Sequence, residues 1–580
     1  GNQGIALQNP YWIVNRDNFV NHKNRFLISG GLNFEITKGI TLGARAKMDY
    51  TSALFEKKYS ASTDNIFCQD FGGYYKGDAS TRQLYGDVML NIDKYFGDFS
   101  LTATLGTSIQ DVNYQYFDVG GSLNSVANSF TTLNLMQSTV KFQQDGYHDQ
   151  TQSIFATAQL GWKSKLYLDV TGRVDWSSAL AYTDGVSFFY PSVGASALLD
   201  KFIDFGKNVN MFKLRASYSM VGNDVPIFMT NLRYELGDQG ALTPPENAPF
   251  KTLKPEKTNS LEVGFDGTFF QNRLDVNLTY YKTNTKNQFF SISAPWETGL
   301  RNRYVNAGNV QNQGFEIGLG WHNQFTDHFS WSTNFNFAYN ENEIKELVDE
   351  LPDGLTLADY GGAKVILKEG GHYGDLYVRQ IKRDDNGKPV VSENGAPQLG
   401  GDGIQDLKYV GDMNAKVNMG WTNTFHYKDF TLSFLIDAKV GGKVMSMTEA
   451  TLDGWGVSER SGAARDNGGV VFEGVTFDPQ KFYSVVGATN FNSQYANELY
   501  VYDATNVRLR ELSFGYTFRN LFGIGKNLNA SLIARNLFFF YKDAPMDPDV
   551  SAGTGNGWQG VDMFALPSSR SVGLNLKLNF

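Results

Sequence analysis

Cysteine is almost missing: Cys68 stands alone in 580 residues. That excludes an intrachain disulfide framework and a cysteine-built metal site, and leaves an inert loop thiol as the expectation. Histidine is sparse as well, with 6 in the chain, and no two form a His-x-x-x-His or His-Glu-x-x-His pair. A Gly-x-Ser-x-Gly elbow and a phosphate loop are both missing. No apolar run approaches the roughly 18 residues that a membrane helix needs. Basic charge is not in excess: 51 Lys and Arg against 60 Asp and Glu give a net charge of -9, which argues against a nucleic-acid binder. Gly1 to Gln8 carry no basic region followed by an apolar core, so no export signal is visible. Either it was removed or the chain begins partway through a longer protein.

Aromatic residues, by contrast, are abundant at 14%, with 44 Phe, 30 Tyr and 9 Trp, and glycine reaches 60. Hydrophobic residues are 41% and the mean hydropathy is -0.33, values usual for a water-soluble chain. A membrane β-barrel alternates apolar and polar positions, so its average hydropathy is low even when it spans a bilayer. Low hydropathy with many aromatics points to an outer-membrane barrel or a secreted β-protein.

The order of residues decides between these. In the last ten residues Val572, Leu574, Leu576, Leu578 and Phe580 alternate with Gly573, Asn575, Lys577 and Asn579, so a strand here has one face for hydrocarbon and one for water. Phe580 would then sit at a membrane–water interface. The same alternation runs from Phe26 to Ile36, turns at Thr37-Lys38-Gly39, and returns from Ile40 to Tyr50. A polar stretch to about Thr81 reads as a loop. Leu84 to Ile92 and Phe99 to Ile109 form the next pair, followed by a second long loop rich in Asn, Gln, Ser and Tyr. Further pairs begin at Ile154, Val193, Leu261, Phe315, Val417 and Leu512.

Short and long connections alternate, as periplasmic turns and extracellular loops do in outer-membrane barrels. A soluble sandwich has no reason to lengthen every second connection, and no fixed repeat suggests a propeller. The expectation is an all-β fold, a transmembrane antiparallel β-barrel. About 17 strands are counted, against the 22 of a plugged outer-membrane transporter. About five strands and a plug domain would then precede Gly1, and residues 1–580 would be the C-terminal portion of the barrel with its long extracellular loops. Near Arg510-Glu511 the apolar positions change phase, from Val507 and Leu509 to Leu512, Phe514, Tyr516 and Phe518. A β-bulge does this, either where the strand leaves the membrane or to aim a charge cluster into the lumen.

Several stretches, taken in order, resemble the SusC/RagA family of TonB-dependent outer-membrane transporters of Bacteroidota. They are Tyr190-Pro191-Ser192, Leu214-Arg215-Ala216-Ser217-Tyr218 with Val221-Gly222-Asn223-Asp224, and Leu253-Lys254-Pro255-Glu256-Lys257-Thr258. Asn306-Ala307-Gly308 with Asn312-Gln313-Gly314-Phe315-Glu316, Val507 to Leu512, Ala534-Arg535-Asn536-Leu537-Phe538 and Asp547-Pro548-Asp549 continue the series. The chain departs from the family at Gly411-Asp412-Met413-Asn414-Ala415-Lys416. It departs again at Gly401-Asp402-Gly403-Ile404-Gln405-Asp406, where Gln398 and Gly400 stand in place of calcium-loop ligands and a plain turn is expected.

The resemblance implies an outer-membrane importer that carries out no covalent chemistry and needs no cofactor or metal. Its implied partners are a SusD-like surface lipoprotein acting as a lid, TonB acting through an upstream segment, outer-membrane lipid, and a glycan or peptide substrate. An oligosaccharide is favoured and an oligopeptide comes next. A TonB-dependent siderophore or vitamin receptor and a passive porin are the other readings. Candidate substrate-binding residues are aromatics beside polar groups in long loops: Trp296, Arg301, Arg303 and Tyr304; Trp455 and Arg460, with Arg465 nearby; and Trp558 and Asp562, with Phe564 nearby. Flat rings beside guanidinium and carboxylate groups suit a sugar, whose capture needs many aimed hydrogen bonds. Packing within the loops, or docking of a partner, is the plain alternative for each.

Overall fold

The computed structural model describes residues 8–183, 185–230, 233–237, 240–250, 254–293, 300–306, 308–347, 353–488, 495–521, 523, 526–553 and 557–579. Trp296 and Phe580 lie outside these residues, as do Leu253 and Ala307 of the quoted motifs. Among the described residues seventeen strands form one antiparallel sheet, the number read from the sequence. No described helix is long and apolar enough to cross a membrane.

The chain divides into two compact units. The first comprises Gly1–Ala195, Ser219–Lys257 and Asn287–Asn306. It opens with helix α1 (Pro10–Arg16), started by Asn9, whose side chain accepts from the Tyr11 amide. Six long strands follow: β1 (Asn18–Thr37), β2 (Ile40–Tyr59), β3 (Gly73–Phe96), β4 (Phe99–Ser122), β5 (Lys141–Trp162) and β6 (Leu166–Ser177). Each pairs with the next. The turns joining β1 to β2, β3 to β4 and β5 to β6 are tight. Gly39 takes φ 75° in the first, and a Cβ there would lie 2.1 Å from the Asp93 carbonyl oxygen, so only glycine fits.

Strand length is the main departure from the sequence reading. β3 and β4 each run 24 residues, about twice the 9–11 that cross a bilayer. The stretches taken for loops before Thr81 and after Ile109 are largely strand. The apolar alternation stops where the strands leave the hydrocarbon, because both faces then meet water, and with it goes the signal that marks a strand. On β1 the exposed apolar band is Phe26, Ile28, Leu32, Phe34 and Ile36, a length that fits one membrane crossing.

Cys68 sits in the connection between β2 and β3 and is buried. Burial pushes its thiol up to about 11, and nearby Asp17 and Asp64 add to this. Iodoacetamide at neutral pH should therefore label the folded protein far more slowly than the urea-unfolded chain, as read by mass spectrometry. Equal rates in the two states would contradict the burial.

The second unit comprises Ser196–Tyr218, Thr258–Lys286 and Ala307–Phe580. Its wall strands include Leu274–Lys286, Asn309–Thr326, Phe329–Glu346, Val417–Tyr427, Phe430–Val440, Asn506–Leu521, Lys526–Lys542 and Ser571–Asn579. The last pairs with Lys526–Lys542, from Arg535 opposite Ser571 to Asn527 opposite Asn579, and its Val572, Leu574, Leu576 and Leu578 are exposed. Between Phe430–Val440 and Asn506–Leu521 the register steps. Leu435 faces Glu511 and Ile436 faces Leu509, leaving Arg510 as the extra residue. This is the bulge that the phase change implies.

The apolar core of this unit lies in its long connections, not in the wall. A four-stranded sheet (Leu355–Asp359, Ala363–Leu367, Asp375–Val378, Lys408–Asp412) buries Val365, Leu376 and Val378 against Met445, Met447 and Val561. Three helices, α2 (Met447–Gly454), α3 (Glu459–Asp466) and α4 (Pro479–Val486), follow. Each starts at a Ser or Asp whose side chain accepts from a backbone amide in the first turn.

Candidate functional site

Four of the sequence candidates meet around helix α2. Ser446 starts this helix and accepts from the Glu449 amide, while its hydroxyl donates to Asp562 Oδ2 at 2.7 Å. Asp562 is buried and places its carboxylate at the positive end of the helix. Trp558 packs edge-on against Tyr360, ring centres 5.2 Å apart, beside Met445 and Met447. Trp455 closes the helix at its other end and is 51% exposed.

Arg460, the second residue of α3, lies with Nε 2.7 Å from the buried Asp453 carboxylate and its guanidinium 4.9 Å from the Tyr500 ring centre. The Arg–Asp contact is a close ion pair, not a well-aligned hydrogen bond. Tyr500 donates to the same carboxylate at 2.9 Å. Burial opposes the Arg460 charge, yet Asp453 outweighs it and raises the guanidinium pKa. Burial and Asp453 together push the Tyr500 hydroxyl up as well.

Asp453 and Tyr500 were not singled out in the sequence. A carboxylate in a short helix and a tyrosine 47 positions later carry no local sign that they meet. Around α2 the buried charges pair with one another, and the apolar Trp455, Val457, Phe564 and Leu566 are left exposed. Phe564 is tied back to the helix by its amide, which donates to Thr448 Oγ1 at 2.7 Å.

The remaining described candidates belong to the first unit. Arg301 pairs with Glu246 at 3.0 Å, its side chain 78% exposed. Arg303 and Tyr304 lie on the strand Asn302–Asn306, opposite Ile292 and Ser291. Tyr304 packs on a small core of Leu180, Phe188, Val225 and Met229.

A third cluster contains the bulge. Arg508 is buried and reaches three carboxylates: Asp437 Oδ1 at 2.9 Å from its Nε, Asp547 Oδ2 at 3.7 Å from Nη1, and Asp549 from Nη2. Lys439 Nζ holds Asp549 at 2.6 Å, and Arg510 Nη2 holds Asp437 at 2.6 Å. Arg508 and Arg510, two apart on the strand, share its face. The Asp547-Pro548-Asp549 stretch thus fastens the last long loop to the wall. Burial opposes ionisation of Asp549, but bonding from Lys439 and the field of Arg508 hold its carboxyl below the usual range.

The hydroxyls set against carboxylates, Ser446 on Asp562 and Tyr500 on Asp453, are fully buried in the platform. The group at α2 and the Arg508 cluster each pair their charges internally, and the α2 group also packs aromatic rings and leaves apolar side chains exposed. These features sit in the long connections of a membrane barrel and where they join its wall.

Comparison with known proteins agrees with that class. The chain belongs to the family described as TonB dependent receptor-like, beta-barrel, matched over residues 2–537, and within it to the SusC/RagA type. It is an outer-membrane protein. It is 27% identical over 543 residues to TonB-dependent receptor P3 of Formosa agariphila, covering 86% of this chain and 52% of that protein. It is 25% identical over 408 residues to TonB-dependent receptor SusC of Bacteroides thetaiotaomicron, covering 65% of this chain and 38% of that protein. The structure of the RagAB peptide transporter superposes with a TM-score of 0.76 at 18% identity, covering 98% of this chain and 63% of that one. The chain spans about half the length of the curated relatives it matches.

Proposed function

We propose that this chain is the barrel portion of a SusC-type outer-membrane importer. Oligosaccharide is captured between the extracellular loops and a SusD-like lipoprotein lid. TonB, driven by the inner-membrane proton gradient, then displaces a plug to admit it. No covalent step is involved. The observation that carries this reading is the folded platform built into the connections of the second unit, with its own sheet, helices and apolar cores. Loops of a passive pore have no need of such cores. A platform with exposed Trp455, Val457, Phe564 and Leu566 suits docking of a partner of matching apolar surface. The glycan reading rests on the resemblance of the sequence motifs to the SusC/RagA family, and the likeness to a peptide transporter is one of fold.

Native-level expression and purification in mild detergent should recover a lipoprotein of SusD size with the barrel. Trp455→Asp with Phe564→Asp should release it. Repeated failure to recover any lipoprotein would count against the lid. A deletion strain that grows normally on glycans but fails under iron limitation would favour a siderophore receptor instead.

A further inference from the structure

A row of aromatic rings lies along one face of β2, β3, β4 and β5, well away from the loop candidates. Tyr114 faces Tyr147 across β4 and β5, with ring centres 5.2 Å apart. Phe55 and Tyr116 lie near-parallel, their ring centres 6.2 Å apart and their planes 14° apart. Tyr75 meets Tyr59 edge-on at 6.1 Å. The unbroken registers put all six on the face opposite the apolar band, which in a barrel is the lumenal face. The row starts level with Thr51 and ends at Tyr59, so it climbs about 27 Å along the strands. It occupies the part of the wall that projects beyond the membrane.

Two glycines hold rings flat. A Cβ on Gly77 would lie 2.2 Å from Phe55 Cε1, and one on Gly120 would lie 2.0 Å from Tyr75 Cδ1. Each ring therefore lies over a cross-strand glycine, with one face on the wall. The six side chains are half-buried; Phe67 stacks on Tyr59 at 5.8 Å, and ring surface remains open on the other five. Polar groups flank them: Lys57 and Lys141 share the Tyr75 register, and Asp118 accepts from the Tyr116 hydroxyl at 3.1 Å.

We propose that this row is a stacking track for a linear oligosaccharide, which passes along the lumenal wall ring by ring. Flat rings match the C–H faces of successive sugars, and the flanking groups match their hydroxyls. A peptide fits the surface less well. It binds extended by pairing with a free strand edge, and of the four strands β2, β3 and β4 have both edges paired, leaving only β5 before Thr151 with one. The proposal rests on the importer reading and adds a second binding surface, remote from the lid.

The full-length protein in detergent is titrated by calorimetry with maltohexaose, cellohexaose, mannohexaose, xylohexaose and hexa-alanine. At least one oligosaccharide should bind. Tyr116→Ala and Phe55→Ala should each weaken it about tenfold, and Tyr116→Phe should not. Heat-modifiable gel migration checks that each variant remains folded. The unmutated protein supplies an independent reading: the bound sugar should slow tetranitromethane nitration of Tyr114 and Tyr116 severalfold. Sugar binding that neither alanine variant weakens, or unchanged nitration, overturns the track and leaves the importer reading intact. Binding of hexa-alanine alone, or of none of the five, overturns the track and the oligosaccharide reading together.

Discussion

Arg508→Ala is expected to destabilise the extracellular rim of the barrel by about 3–5 kcal/mol, the usual cost of stripping one partner from a buried charge cluster. The cluster balances Arg508, Arg510 and Lys439 against Asp437, Asp547 and Asp549. Removing Arg508 leaves Asp437 and Asp549 facing each other with less than their full countercharge. Arg508→Lys should rescue little, because an ammonium cannot serve three carboxylates in a planar fork. The loop containing Asp547 and Asp549 should loosen first. Limited proteolysis should then cut residues 543–570 while the barrel keeps its heat-modifiable migration. Protease resistance and a melting temperature equal to wild type in Arg508→Ala would show that the cluster holds nothing. The Asp549 contribution to the pH dependence has a definite sign. Asp549 is held below its ordinary value in the fold, so its contribution is complete at neutral pH and is lost as pH falls through the carboxylate range. Acid should expose the same loop to proteolysis that the mutation does.

Arg508 also shows how much of the molecule was legible in the sequence. The bulge at Arg510 was readable, because a change of phase from odd to even apolar positions has one cheap structural cause. The Asp-Pro-Asp stretch was visible as a motif, but nothing in it says that its carboxylates close on a residue some 40 positions earlier. The membrane crossings were legible for the same reason, since hydrocarbon on one side and water on the other impose period two. Above the membrane that constraint disappears. β2 beyond Tyr50 and β3 before Thr81 carry no apolar alternation, so they read as loops. Helix α2 was missed: at eight residues it has too little periodicity to stand out. Of the loop candidates, Trp455, Trp558, Asp562 and Arg460 gather at that helix, a proximity set by the folded platform, not by spacing. The aromatic row was missed because its rings alternate with polar residues in stretches taken for loop. Only the register aligns Phe55, Gly77 and Asp118.

The strongest test of the membrane assignment uses Leu105. It lies near the middle of the apolar band on β4, faces Leu90 and Ala156 across the registers, and is 56% exposed. If that face met water, Leu105→Arg would change stability by no more than about 0.5 kcal/mol, as exposed substitutions do. Facing lipid at mid-depth, it should cost about 2–4 kcal/mol. Thr102→Arg is the internal control. It lies on the same strand but on the opposite face, in register with Asp93, where an added cation meets water and a carboxylate, so its cost should be small. Both variants are refolded into phospholipid vesicles and titrated with urea, with folded barrel read by gel migration. A large penalty for Leu105→Arg and a small one for Thr102→Arg establishes which face meets hydrocarbon. Equal and small penalties would mean that the band is not in the bilayer. The exposed leucines, valines and phenylalanines along seventeen strands would then form an aggregation hazard with no physical excuse. The wall is stable as folded only if lipid is its solvent, and this pair of substitutions measures that solvent directly.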